Sequence, residues 1–126
     1  MDKEDRFIVK DSGKREKFTT GMVRDVRTGK GRFDLISPIA LRRLAVVYEK
    51  GAVKYEDRNW ENGAPISRFM DSALRHLNNH IEGRRDEDNL GMAAWNIFCM
   101  LHFDETRPDL NDLPSYIKKE EKEESK

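Results

Sequence analysis

Three stretches of this sequence repeat apolar residues at steps of three and four, and each is fenced by helix start and stop signals. The first set is Leu41, Leu44, Ala45, Tyr48, Ala52 and Tyr55; the second Met70, Ala73, Leu74, Leu77 and Ile81; the third Leu90, Ala93, Ala94, Ile97, Phe98 and Leu101. That spacing places each set on one face of an α-helix. Ser37-Pro38 supplies a hydroxyl N-cap and a first-turn proline, so the first helix runs from 38 to about 50 or 55, the longer version if Gly51 is tolerated. Ser67 is read as the cap of the second helix and Gly83 as its left-handed stop. Asp86 is read as the cap of the third, which Pro108 ends.

Three amphipathic helices with short loops predict a mainly α fold, a small three-to-four-helix bundle. Ahead of it, residues 18–36 mix small apolar and basic groups with glycines and read as a loop or short β-ribbon. The expected organisation is a mobile N-terminal segment 1–17, one helical domain over 18–108, and a tail 109–126 with a docked turn at Tyr116-Ile117 before the charged run KKEEKEESK. At 126 residues there is room for one core, and 38% charged residues leave that core small, a balance that favours a homo-oligomer.

Lys plus Arg and Asp plus Glu are equal at 24 each, so no overall field argues for direct nucleic-acid or membrane binding, and any anion site is local. No apolar run approaches the roughly 18 residues of a membrane span, and the N-terminus lacks a signal peptide's apolar region. A single cysteine, Cys99, sits in the apolar run IFCML, reads as a packing thiol, and suits a reducing cytoplasm. The expectation is a cytoplasmic protein.

Arg24, Arg27, Lys30 and Arg32 are interleaved with Gly29 and Gly31, which let backbone N–H groups approach an anion. The Walker pattern GxxxxGK[ST] is absent, so the segment is either a phosphate cradle or a basic loop. Glu49 stands beside Tyr48 at the edge of the first stripe, where a carboxylate is costly unless paired or metal-bound. Lys54, Arg58, Asn59 and Trp60 follow, able to supply phosphate donors, a base-edge amide and a stacking ring, or else surface cations and a plug between helices.

On the second helix Phe69, Ala73, His76 and His80 form a line beside the main stripe, with Asp71 and Arg75 as a default surface pair. Without the glutamate of HExxH or a nearby cysteine, zinc is disfavoured, and His76 reads as a hydrogen-bonded site residue and His80 as surface. EGRRDEDN, 82–89, gathers four carboxylates, more than a helix dipole needs, and carboxylates in such a cluster can hold magnesium. Asn89, Ala93, Asn96 and Met100 adjoin the core face of the third helix, so Asn96 meets either a ligand or a neighbouring helix.

Taken together, FTTGMVRD, GKGRFDL, PIALRRLA, YEKGAVKY, RNWENG, SRFMDSALRHL and DEDNLGMAAWN resemble a phage-associated family, the dATP/dGTP diphosphohydrolase N-terminal domain, related to MazG-like all-α nucleoside-triphosphate pyrophosphohydrolases. The resemblance covers about 18 to 105, in order and without large gaps. It implies a domain that takes purine deoxynucleoside triphosphates with Mg²⁺ or Mn²⁺ and releases monophosphate and pyrophosphate in the host cytoplasm. Glu49 and Asp88 would be metal carboxylates, one of them orienting or deprotonating the attacking water. Lys54 and Arg58 would meet phosphate, and Asn59 and Trp60 the base, with Tyr55 beside them. Arg75 and His76, from the matching RHL, would contact phosphate or position ligands. Arg24, Lys30, Arg32, Asn89 and Asn96 complete the expected nucleotide contacts. A non-catalytic module of phage origin that sequesters a nucleotide or cyclic-nucleotide signal would use the same side chains, and a helical partner-binding domain remains a third reading.

Overall fold

The computed structural model describes residues 9–117 and 119, and the chain divides into two compact units, Met1–Ile36 and Ser37–Lys126. In the first, strand β1 (Arg15–Lys17) pairs antiparallel with β2 (Val23–Asp25), Arg15 opposite Asp25. Gly21, at φ +91°, makes the turn and its N–H donates to the Phe18 carbonyl at 2.9 Å; a side chain there would be strained. A two-stranded ribbon is present as expected, but only β2 falls in the range 18–36 read for it; β1 lies wholly within the segment 1–17 read as mobile, because its partner residues across the turn are set by pairing and not by local composition. Asp25 ties the unit together, accepting from the Ser12 hydroxyl and from Lys30 Nζ at 2.9 Å. Those bonds, the Ser12 hydroxyl first, hold its carboxyl below the ordinary carboxylate range.

The second unit is mainly α: α1 (Pro38–Tyr55), α2 (Ile66–Ile81) and α3 (Asn89–Thr106). Ser37 caps α1 as read, its Oγ accepting from the Ala40 N–H at 3.1 Å with Pro38 in the first turn. The helix runs through Gly51 to Tyr55. It ends on Glu56 at φ +90°, followed by Arg58 at φ +59°, two left-handed residues that are not glycine and hold local strain of about 1 kcal/mol or more each.

Two caps differ from the expectation. Pro65 occupies the N-cap position of α2, and the Ser67 N–H and hydroxyl instead donate to the Asp112 carboxylate at 2.8 and 2.5 Å, so the segment after α3 closes the start of α2. Asp88, not Asp86, caps α3, its Oδ1 accepting from Gly91 N–H at 3.0 Å; it stands immediately before the first helical residue, as a cap must. Gly83, at φ +82°, stops α2 as expected, and Pro108 ends α3.

The contacts fix the helix directions. Arg43 meets Asp88 and Trp60 meets His102 and Phe103, so α1 lies parallel to α3. His76 meets Asn89 and Phe69 meets Phe103, so α2 lies antiparallel to it. The core gathers Ile66, Phe69, Cys99 and Phe103, with Trp60, Trp95, Leu110 and Leu113 packed around it.

Which lines face inward differs from the periodicity reading. On α2 the buried line is Ile66, Phe69, Ala73 and His76, whereas Leu74 and Ile81 are exposed. On α3 it is Asn89, Ala93, Asn96, Cys99 and Phe103, whereas Leu90, Ile97, Phe98 and Leu101 are exposed. On α1 Leu44 is buried and Tyr48 and Ala52 half-buried, while Leu41, Ala45 and Tyr55 are exposed. The small residues decide this: Ala73 and Ala93, 3% and 1% exposed, let backbones approach where leucine would hold them apart. No helix among the described residues is long and apolar enough to cross a membrane. The residues of KKEEKEESK, apart from Lys119, lie outside the described part.

Candidate functional site

The polar end of the bundle is built at the turn between α2 and α3. Gly83 reverses the chain after the last turn of α2, and Asp88 restarts it. The Asp88 carboxylate also takes Arg43 of α1, whose Nη2 and Nε reach it at 2.5 and 3.0 Å. That guanidinium, then the Gly91 N–H and Lys50, hold the Asp88 carboxyl below its ordinary range despite partial burial. Gly91 is needed here, since a Cβ would stand 2.3 Å from Asp88 Oδ2 and 3.1 Å from Val47 Cγ2.

Behind this ion pair lies a buried amide–imidazole pair. Asn89 is 2% exposed and its Oδ1 sits 2.8 Å from His76 Nδ1. An amide oxygen only accepts, so His76 Nδ1 carries the hydrogen, and a neutral ring keeps its lone pair on Nε2. Asn79 Nδ2 approaches the same oxygen at 3.4 Å, Asn89 Nδ2 approaches the Arg84 carbonyl at 3.4 Å, and Glu87 Oε1 lies 3.9 Å from His76 Nδ1. In front is an open hollow of about 320 Å³ lined by Arg43, His80, Arg84, Arg85, Glu87, Asp88 and Asn89. Three guanidiniums and two carboxylates line it, but Arg43 is paired with Asp88 and Arg84 Nε with Glu82 Oε2 at 2.8 Å, so it offers planar donors suited to phosphate with little net positive charge, and its volume is at the small end of ligand sites.

The other expected contacts lie elsewhere. Trp60, on the 3₁₀ turn Asn59–Asn62, is half-buried and packs edge-on against Tyr48, His102 and Phe103 with ring centroids 6.1, 5.0 and 6.2 Å apart. Burial pushes the Tyr48 phenol up to about 12. Asn59, Lys54, Tyr55 and Arg58 are exposed at the same end, with Arg58 paired to Glu61 at 2.5 Å and the Lys54 ammonium 5.0 Å from the Tyr55 ring centroid. From Asn89 to Phe103 α3 rises roughly 21 Å, which separates this group from the polar end. Glu49 is exposed and stands six residues after Arg43, about 120° around α1 from the line that meets Asp88. Arg75 is exposed on α2. Asn96 is 5% exposed and donates to the Met92 carbonyl at 2.8 Å, a bond within its own helix.

In the N-terminal unit Arg24 is exposed on β2, while Lys30 and Arg32 pair with Asp25 and Asp34 at 2.9 and 2.7 Å. Of the residues of the helical unit named from sequence, the structure thus brings together His76, Asp88 and Asn89. Arg43, His80, Arg84, Arg85 and Glu87 join them without having been singled out as ligand contacts. The doubled arginine within EGRRDEDN was the available signal for two of them, whereas Arg43 is 45 positions from Asp88 and left none. Among the described residues no three His, Cys, Asp or Glu side chains converge to hold a metal ion.

Residues 20–113, about three quarters of the chain, match the family model described as dATP/dGTP diphosphohydrolase, N-terminal. No curated protein and no solved structure matches the chain. The protein belongs to the dATP/dGTP diphosphohydrolase N-terminal domain family.

Proposed function

We propose, with that membership as premise, that the protein binds purine deoxynucleoside triphosphates at the α2–α3 turn and cleaves them to monophosphate and pyrophosphate. The observation that carries the placement is the hollow on which the guanidiniums of Arg43, Arg84 and Arg85 converge. In this reading Arg84 and Arg85 hold phosphate oxygens, Arg43 is steadied by Asp88, and His76 is the positioning residue that fixes the Asn89 amide at the rim.

The expected Mg²⁺ or Mn²⁺ does not fit the donors of one chain. Asp88 already holds Arg43 and the Gly91 N–H, and Glu49 lies on another side of α1. That mismatch favours a second reading, a domain that binds the nucleotide and does not cut it.

One assay separates the two. The protein is incubated with dATP and dGTP, with and without Mg²⁺ or Mn²⁺, while pyrophosphate release and nucleotide recovery are followed. Pyrophosphate and monophosphate appear if it is a hydrolase, with turnover reduced tenfold or more in Arg84→Ala/Arg85→Ala. Tight binding with all nucleotide recovered intact overturns cleavage in favour of sequestration, and absence of binding overturns both.

A further inference from the structure

The hollow at the α2–α3 turn holds free donors for phosphate oxygens, whereas its one carboxamide is already used up. A carboxamide is the side-chain group that matches a base edge with a donor and an acceptor together. Asn89 supplies it, and its Oδ1 takes His76 Nδ1 at 2.8 Å and Asn79 Nδ2 at 3.4 Å, while its Nδ2 faces the Arg84 carbonyl at 3.4 Å. At 2% exposure both ends of the amide are turned into the protein. The one ring in the lining is His80. Stacking on a ring tolerates every base, since each base has a π-face. Glu87 could accept from a base amino group, but adenine, guanine and cytosine all carry one, so it does not separate purines from pyrimidines.

The guanidiniums keep capacity to spare. Each has five N–H donors in a plane. Asp88 takes Nε and Nη2 of Arg43, Glu82 takes Nε of Arg84, and the Arg84 carbonyl takes Nη1 of Arg85 at 3.0 Å. Arg43 Nη1, both Nη groups of Arg84, and Nε and Nη2 of Arg85 have no hydrogen-bond partner among the described residues, and Arg85 has no carboxylate partner there. Hydrogen bonds between ionised groups are roughly twice as strong as neutral ones, so a polyphosphate outcompetes a neutral base edge for these donors.

We propose that this hollow recognises the polyphosphate chain and leaves the base unread, so that purine triphosphates, pyrimidine triphosphates and inorganic tripolyphosphate share it. Contacts to phosphate position a nucleotide without carrying information about its base. The inference rests on the nucleotide reading above and widens its ligand from purine triphosphates to short polyphosphates as a class.

Isothermal titration at one ionic strength tests it, with dATP, dGTP, dCTP, dTTP, dAMP and sodium tripolyphosphate as probes, in EDTA and, where EDTA shows no binding, in calcium. The four triphosphates bind within fivefold of one another, tripolyphosphate displaces dATP, and dAMP binds at least tenfold more weakly than dATP. Arg85→Ala weakens dATP and tripolyphosphate alike, by tenfold or more. Arg85→Lys recovers part of the loss, since lysine keeps the charge without the planar fork. A spread wider than fivefold among the four, dATP that tripolyphosphate does not displace, or dAMP within tenfold of dATP overturns the inference and leaves nucleotide binding standing. An Arg85→Ala variant that keeps its affinity, or that loses dATP alone, overturns it as well. If no triphosphate binds in either buffer, the inference and the nucleotide reading fall together.

Discussion

The two ends of α3 use similar residue types for opposite purposes. At its C-terminal end Trp60, Tyr48, His102 and Phe103 interlock edge to face, and the polar neighbours Asn59, Lys54 and Arg58 stay in water. At its N-terminal end an amide and an imidazole are buried against each other behind an arginine-rich hollow. The first end is held by area removed from water, the second by hydrogen bonds that must stay satisfied once water is excluded. Aromatic richness therefore marks the structural end of this bundle, and buried polarity marks the end where a ligand is expected.

Substitutions that should affect one end only put this contrast to the test. Phe103→Ala empties the centre of the aromatic end and should lower unfolding free energy by about 3–5 kcal/mol in urea titrations. Triphosphate affinity measured below the new midpoint should hold, and a parallel loss of affinity would merge the two ends into one site. Asn89→Leu removes the acceptor of His76 while keeping bulk, and should cost about 2 kcal/mol because the imidazole N–H is left buried without a partner. His76→Phe in the same background should recover part of that loss, which a double-mutant cycle reads directly.

Arg84→Ala/Arg85→Ala should weaken triphosphate binding by roughly ten- to a hundredfold, equivalent to about 1.4–2.8 kcal/mol at 1.4 kcal/mol per decade. Its midpoint of unfolding should stay close to wild type, since both side chains are exposed. Asp88→Ala should cost about 1 kcal/mol as a lost cap. Because the folded carboxyl lies below the ordinary range, its contribution is complete above about pH 4 and is lost as pH falls through the depressed folded value. Wild type and variant should therefore converge in stability in acid. Arg58→Ala, an exposed pair with Glu61, should change stability by less than about 0.5 kcal/mol.

Much of the fold was legible in the sequence, and the reason is local. Ser37-Pro38, Gly83 and Pro108 act through backbone chemistry that needs no distant neighbour, so helix limits followed from them. The rotation of α2 and α3 did not follow. Each carries two adjoining apolar lines, and hydrophobicity favours the greasier one, Leu74 and Ile81 or Ile97 and Leu101. Packing within the chain instead chose the line with Ala73 and Ala93. For the same reason the line Phe69, Ala73, His76 and the line Asn89, Ala93, Asn96, read as adjoining the core, proved to be the core contact itself. At the site, His76, Asp88 and Asn89 could be grouped because a hairpin turn brings its two ends together. Arg43 could not, because its partner is fixed only by how α1 lies along α3, and neither could the separation of Trp60 from Asp88.

Cys99 is wholly buried in the cluster with Ile66, Phe69 and Phe103, and its thiol is pushed up to about 12 by that burial. An alkylating reagent meets it only when the bundle opens, so the labelling rate of this one sulfur is a clock for that opening. Slower labelling with dATP present would report ligand-linked closure with no probe attached to the protein.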